Sequence, residues 1–162
     1  MILVSRLWQC KTIRFAGGAL ASTMGTGFFP WGPGTVGSII AALVFFYAPV
    51  NHLLFLPFVL LLGWIGCEAG RKLWGEDPSI VTIDEVAGTW IACLAAPAAW
   101  GAWGIATALV LFRIFDIAKP WPVNKLDEMK NGIGILLDDV AAGLMAAAVL
   151  YLAYLIDYFN VL

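Results

Sequence analysis

Three long stretches of this chain contain no Lys, Arg, Asp or Glu: Phe15 to Cys67, Val86 to Phe112 and Val140 to Ile156. Such runs predict apolar helices, and proline and glycine mark where they stop. Pro49 precedes Asn51-His52, Pro97 precedes Trp100-Gly101, and Lys119-Pro120 closes a further run. The pattern predicts five helices, at roughly 36–49, 53–72, 82–97, 100–118 and 135–157. A spanning helix needs about 20 residues, so the first is short and reads as tilted, embedded or partly spanning. Hydropathy also permits one kinked helix across 36–62. The expected fold is an all-α, polytopic helical membrane protein forming one domain over 1–162, with 1–24 as an N-terminal cytoplasmic or interfacial segment.

Composition removes the soluble alternative. The chain is 62% hydrophobic and 12% charged, with mean hydropathy +0.89, whereas soluble domains are about half apolar and a quarter charged. A soluble fold of 162 residues could not hide that much apolar surface. A net charge of −2 offers no basic field for nucleic acid. Cys10, Cys67 and Cys93 lack metal-type spacing, and the last two read as small buried hydrophobes. Arg6, Lys11 and Arg14 lead into a Gly/Thr/Pro loop and not a cleavage site, so no signal peptide is expected.

Charge placement orients the helices. All nine basic residues fall in the N-terminal segment, at 71–72 or within 113–130, while the turns Ala48–His52 and Ala96–Trp103 hold none. The positive-inside rule puts the three basic segments in the cytoplasm and the two turns outside. Every acidic residue except Asp157 then lies at or near a cytoplasmic helix end.

Four polar clusters could carry chemistry. Gly25 to Ser38 is rich in glycine and hydroxyls and opens an apolar helix, whose N-terminus offers free N–H groups to an anion. An ordinary turn with Thr35 or Ser38 as N-cap explains it equally well. In Asp77 to Gly88, Thr82 and Glu85 match a capping box. That accounts for one carboxylate but poorly for two, Asp84 and Glu85, at a lipid boundary. In Phe112 to Pro122, Arg113, Asp116 and Lys119 recur every three residues along one helix side, either as a salt-bridge ladder or as a metal ligand beside two phosphate-binding cations. In Asn131 to Gly143, Asp138 and Asp139 enter a helix with no local cation, and adjacent carboxylates of this kind call for a divalent ion between them. This last cluster is the strongest of the four.

Together Asp84, Glu85, Asp116, Asp138 and Asp139 are expected at one level of one membrane face, an oxygen-only set suited to Mg²⁺. Gly88, Ala87, Ala142 and Gly143 would let the helices approach closely, or serve packing alone. The lone histidine, His52, falls in an uncharged turn, which disfavours histidine chemistry. No cysteine is followed at short range by an arginine. What remains is a metal-activated water attacking phosphorus, with a carboxylate assisting, or an aspartyl nucleophile.

Four stretches in this order, GFFPWGPGTVGS (Gly27 to Ser38), SIVTIDEVAG (Ser79 to Gly88), FRIFDIAKPWP (Phe112 to Pro122) and GIGILLDDVAAG (Gly132 to Gly143), resemble the phosphatidylglycerophosphatase A family of bacterial membrane enzymes. The resemblance spans nearly everything beyond the N-terminal segment. It implies Mg²⁺-dependent hydrolysis of phosphatidylglycerophosphate to phosphatidylglycerol and phosphate at the cytoplasmic side of the plasma (inner) membrane. By motif, Asp84, Glu85, Asp116, Asp138 and Asp139 become the catalytic and metal-binding set. Arg113, Lys119 and the turn holding Thr35, Gly37 and Ser38 become the phosphate contacts. Asn131 departs from the pattern, which more often has a second glycine before Gly132. The lipid's tails are expected to stay in the bilayer while its phosphate enters the polar cluster. The rivals are a transporter or ion pathway, which predicts acids spread through the membrane depth, and a structural subunit whose charges merely cap helices.

Overall fold

The computed structural model describes residues 10–76 and 78–161. Arg6 of the N-terminal basic group, Asp77 of the second polar cluster and the terminal Leu162 lie outside the described residues. The described chain is helical throughout: α1 (Lys11–Ala21), a 3-10 turn (Thr26–Phe28), α2 (Pro33–Tyr47), α3 (His52–Trp74), α4 (Ile83–Leu94), a second 3-10 turn (Ala98–Trp100), α5 (Gly101–Ala118), α6 (Val123–Asp127) and α7 (Gly132–Val161).

All five expected helices are present, but they are not equivalent. Three, at His52–Trp74, Ala98–Ala118 and Gly132–Asn160, are long and apolar enough to cross a membrane. The 12 residues of α4 rise about 18 Å, against a hydrocarbon core of about 30 Å. The 15 residues of α2 rise about 22 Å. The outward side chains of the long helices are apolar and exposed, among them Leu53, Leu54 and Phe58 on α3, Val110 and Ile117 on α5, and Leu152 and Ile156 on α7. So much continuous apolar surface suits lipid and not water, and the protein is a membrane protein.

Several helix starts differ from the sequence expectation. The single kinked helix over 36–62 does not form, because the chain breaks after Tyr47 and restarts where Asn51 Oδ1 accepts from Leu54 N at 3.1 Å. Neither Thr35 nor Ser38 caps α2. The cap is Gly32, in the left-handed region at φ 61°, followed by Pro33 in the first turn. The Ser38 hydroxyl donates instead to Gly34 O at 2.8 Å inside the helix. The Thr82–Glu85 capping box is also absent. Thr82 makes no cap bond; its Oγ1 donates to Thr23 Oγ1 at 3.0 Å and lies 3.0 Å from Thr26 Oγ1. This hydroxyl cluster ties the start of α4 to the end of α1 and leaves Glu85 for another task. Helices α1 and α6 were not anticipated; α1 lies against the end of α3, where Gly18 faces Leu73 and Trp74.

Cys67 and Cys93 are buried free thiols inside the packed interior, as small hydrophobes should be. The decisive packing is between α4 and α7, where main chain meets main chain. A Cβ at Gly88 would lie 2.6 Å from Asp139 O and 2.8 Å from Phe112 Cζ. A Cβ at Gly143 would lie 3.0 Å from Gly88 C and 3.1 Å from its Cα. Backbone cannot yield as a side-chain tip can, so any side chain here forces the helices apart. Overpacking of this kind costs about 1–3 kcal/mol. Gly88→Val should therefore lower the thermal unfolding midpoint in detergent, and an unchanged midpoint would mean that the two helices are not in backbone contact.

Candidate functional site

Four helix ends converge on one polar cavity of 260 Å³. The start of α2 supplies Gly32, Pro33 and Gly34, the start of α4 supplies Asp84 and Glu85, the end of α5 supplies Arg113 and Asp116, and α7 supplies Asp138 and Asp139. Lys119 closes the ring from the residue that caps α5. The opposite end of the bundle is marked by Trp100 Nε1, which donates to Asp157 Oδ2 at 3.3 Å. The one acid set apart by its position in the sequence is thus also apart in space. The acids of the cavity share a single level, whereas a transport pathway through the membrane depth would spread them.

The five carboxylates expected at the site all line this cavity, but in two distinct roles. Asp84, Glu85 and Asp139 have oxygens that all lie within 4.8 Å of one another. Asp84 and Asp139 are buried and Glu85 is largely so. Asp116 and Asp138 each accept a close bond from a cation, whereas Glu85 Oε1 lies 3.8 Å from Arg113 Nη1. Arg113 Nη1 donates to Asp116 Oδ2 at 2.6 Å, and Lys119 Nζ donates to Asp138 Oδ2 at 3.0 Å. The two acidic pairs use the same local device: Asp84 Oδ1 accepts from Glu85 N, and Asp138 Oδ1 accepts from Asp139 N, each at 3.0 Å. That bond fixes the first acid of each pair against its own helix.

Arg113, Asp116 and Lys119 do not form the single row that their spacing suggested. Lys119 adopts the left-handed conformation, φ 43° and ψ 53°, and ends the helix, its N–H donating to Phe115 O. Leaving the helix turns its side chain toward Asp138 and toward Asp127 of α6, which it also contacts. Burial alone would lower the pKa of Lys119, but these two carboxylates outweigh that and hold the ammonium above the ordinary lysine range. Lys119 stays charged at any physiological pH.

The hydroxyl-rich turn behaves differently from expectation. Of its proposed phosphate contacts, Ser38 is fully buried with its hydroxyl bonded inside α2, and Gly37 packs on Thr82. Thr35 is exposed and lines a neighbouring groove with Arg113. The wall of the cavity is Gly32–Gly34 instead. A Cβ at Gly34 would collide with Glu85 Oε1 and lie 3.2 Å from Arg113 Nη1, so only glycine lets the carboxylate reach the helix start. Asp127 had no local signal in the sequence, because its role depends on α6 folding back beside Lys119. Asn131 has a structural use: its Oδ1 accepts from Gly134 N at 2.8 Å, a side-chain cap that glycine could not supply.

The family profile Phosphatidylglycerophosphatase A matches residues 19–154. The chain belongs to the phosphatidylglycerophosphatase A family. By that membership it is an enzyme, a phosphoric monoester hydrolase. It is 35% identical to the phosphatidylglycerophosphatase A of Escherichia coli over 82% of this chain and 80% of that protein. Against the Haemophilus influenzae protein of the same name the identity is 34%, over 82% of this chain and 85% of that one. It is 42% identical to a Bacteroides thetaiotaomicron protein provisionally named phosphatidylinositol-3-phosphatase, over 76% of this chain and 84% of that protein. No solved structure gives a significant match.

A divalent ion fits the donor set. Three carboxylates this close repel strongly unless a cation lies among them, and Glu85 Oε2 is a buried oxygen without a hydrogen-bond partner. Oxygen donors alone suit a hard cation. Gly34→Ala tests the geometry without touching a charge. It should push the Glu85 carboxylate out of place and cut phosphate release by on the order of 10²-fold, the cost of a misplacement near 1 Å, while circular dichroism stays helical. Wild-type turnover would show that Glu85 needs no such approach.

Proposed function

We propose that this enzyme hydrolyses phosphatidylglycerophosphate to phosphatidylglycerol and phosphate, with Mg²⁺ as cofactor, as a step of phosphatidylglycerol biosynthesis at the cytoplasmic face of the bacterial inner membrane. One observation carries the proposal: a cavity at the helix ends sets a buried carboxylate trio, Asp84, Glu85 and Asp139, beside two cations, Arg113 and Lys119. Family membership supports the substrate, since two relatives are named for it. The basic residues at this end of the helices support a cytoplasmic orientation.

Each group then has a task. Asp84, Glu85 and Asp139 would hold the Mg²⁺. When bound, the ion supplies positive charge against the phosphoryl oxygens and raises the acidity of water. Arg113 and Lys119 take the remaining phosphoryl oxygens, where charge grows as the phosphorus–oxygen bond breaks. Asp116 orients the guanidinium, and Asp138 with Asp127 orients the ammonium. A carboxylate of the cavity accepts the proton of the attacking water and returns it to the departing lipid oxygen. The phosphate of a lipid sits at headgroup depth, which is where helix ends meet the bilayer surface.

A second reading keeps the chemistry and changes the headgroup, and it is favoured by the relative named for phosphatidylinositol 3-phosphate. Both are phosphomonoesters on a lipid.

Purified protein in detergent should release phosphate from phosphatidylglycerophosphate in Mg²⁺, fall to background with chelator, and recover when Mg²⁺ is restored. Phosphatidylinositol 3-phosphate in the same panel separates the two headgroups. Asp139→Ala should reduce turnover by on the order of 10²-fold or more. Near-normal turnover in that variant would remove Asp139 from the site, and chelator-insensitive release would remove the ion.

A further inference from the structure

Beside the polar cavity, an apolar groove runs between α2 and α5 on the lipid-facing side of the bundle. Its upper part, 470 Å³, is lined by Thr35, Ile39, Leu109, Arg113, Ile114 and Ile117 among others. Its lower part, 220 Å³, continues past Leu43, Phe46, Ala102 and Ala106. The two are separate hollows that share Ile39 and Leu109 as walls, so they adjoin end to end along the helix pair. Arg113 lines both the groove and the polar cavity.

Among the described residues, Arg113 is the only charged side chain lining either part of the groove, and it stands at the end that meets the cavity. From Arg113 down to Ala102 the groove extends about 16 Å at the helical rise, close to half of a hydrocarbon core of about 30 Å. That is the depth of one leaflet. A groove with a cation at headgroup level and apolar walls beneath matches a molecule with an anionic head and a hydrocarbon tail. Arg113 joins it to the polar cavity, whereas the apolar hollow between α1 and the end of α3, lined by Arg14, Phe15 and Trp74, shares no lining residue with that cavity.

We propose that one acyl chain of the lipid substrate lies in the groove between α2 and α5, so that the phosphate enters the cavity sideways from the bilayer past Arg113. This deepens the lipid phosphatase reading and rests on it. Thr35, exposed at the head of the groove, then stands beside the glycerol and ester oxygens and not the phosphate. Selection by the enzyme falls on chain length as well as on the head.

Phosphatidylglycerophosphates carrying dihexanoyl and dipalmitoyl chains provide the probe. Ile39→Trp fills the junction of the two parts, and Ala106→Trp fills the lower one. Each should reduce the ratio of dipalmitoyl to dihexanoyl kcat/KM at least tenfold relative to wild type. Leu54→Trp, on the exposed face of α3 away from the groove, should leave the ratio unchanged. An unchanged ratio in both groove variants overturns the proposal. A second measurement does not depend on those variants folding: a dipalmitoyl-length substrate with a diazirine in one chain should crosslink wild-type protein within 33–47 and 101–118. Labelling spread evenly over the outer faces of α3 and α7 overturns the groove. If wild-type protein releases no phosphate from either lipid, the phosphatase reading itself fails, whereas active wild type without chain-length dependence rejects the groove alone.

Discussion

Everything at the polar end of this protein depends on α4 and α7 touching through bare backbone at Gly88 and Gly143. Asp84 lies one turn before Gly88, and Asp139 lies one turn before Gly143. On a helix, residues four apart share a face, so the crossing that brings the glycines together also brings the carboxylates together. Side chains at the crossing would widen the gap, and the acids would no longer share a ligand-sized space. Phe112, fully buried against Gly88, carries the same constraint across to α5 and hence to Arg113 beside it.

The charges themselves are arranged to be tolerable at a lipid boundary. An ionised group within a bilayer costs several kcal/mol unless it is paired or near the surface. Two of the five acids meet that demand by close pairing, Asp116 with Arg113 and Asp138 with Lys119, and Glu85 meets it in part through Arg113 at 3.8 Å. Asp84, Glu85 and Asp139 face each other, and they are the ones with a buried, unpartnered oxygen among them. One cation still borders the trio, since Arg113 Nη1 lies 3.8 Å from Glu85 Oε1 while bonding Asp116 more closely. One cavity thus holds three carboxylates close enough together to suit the proposed metal and two cations fixed by carboxylate partners beside them. Lys119 reaches its position only by leaving the helix through a left-handed residue, a conformation that an ordinary lysine seldom adopts.

The same design links the site to the bilayer. The α2–α5 pair presents its polar end to the cavity and its apolar flank to lipid, with Arg113 common to both. The proposed lipid substrate would gain from such a shared boundary, because pulling its tails into water would expose hydrocarbon at about 25 cal/mol per Å².

The sequence by itself determined the all-helical membrane character, since continuous uncharged runs without the apolar–polar alternation of barrel strands satisfy their backbone hydrogen bonds as helices. It also determined which carboxylates and cations belong to the polar end, because few charges exist and they cluster beside helix termini. The family was legible in four ordered stretches. Helix starts were less so: Thr82 and Ser38 looked like caps, yet a hydroxyl bonds whichever partner the fold brings near, and here Thr23 and Gly34 O prevail. Spacing also could not separate the three converging acids from Asp116 and Asp138, each closely bonded to a cation, or find Asp127. Those assignments depend on distances between helices far apart in sequence, which are set by where backbone can touch backbone and by how α5 ends.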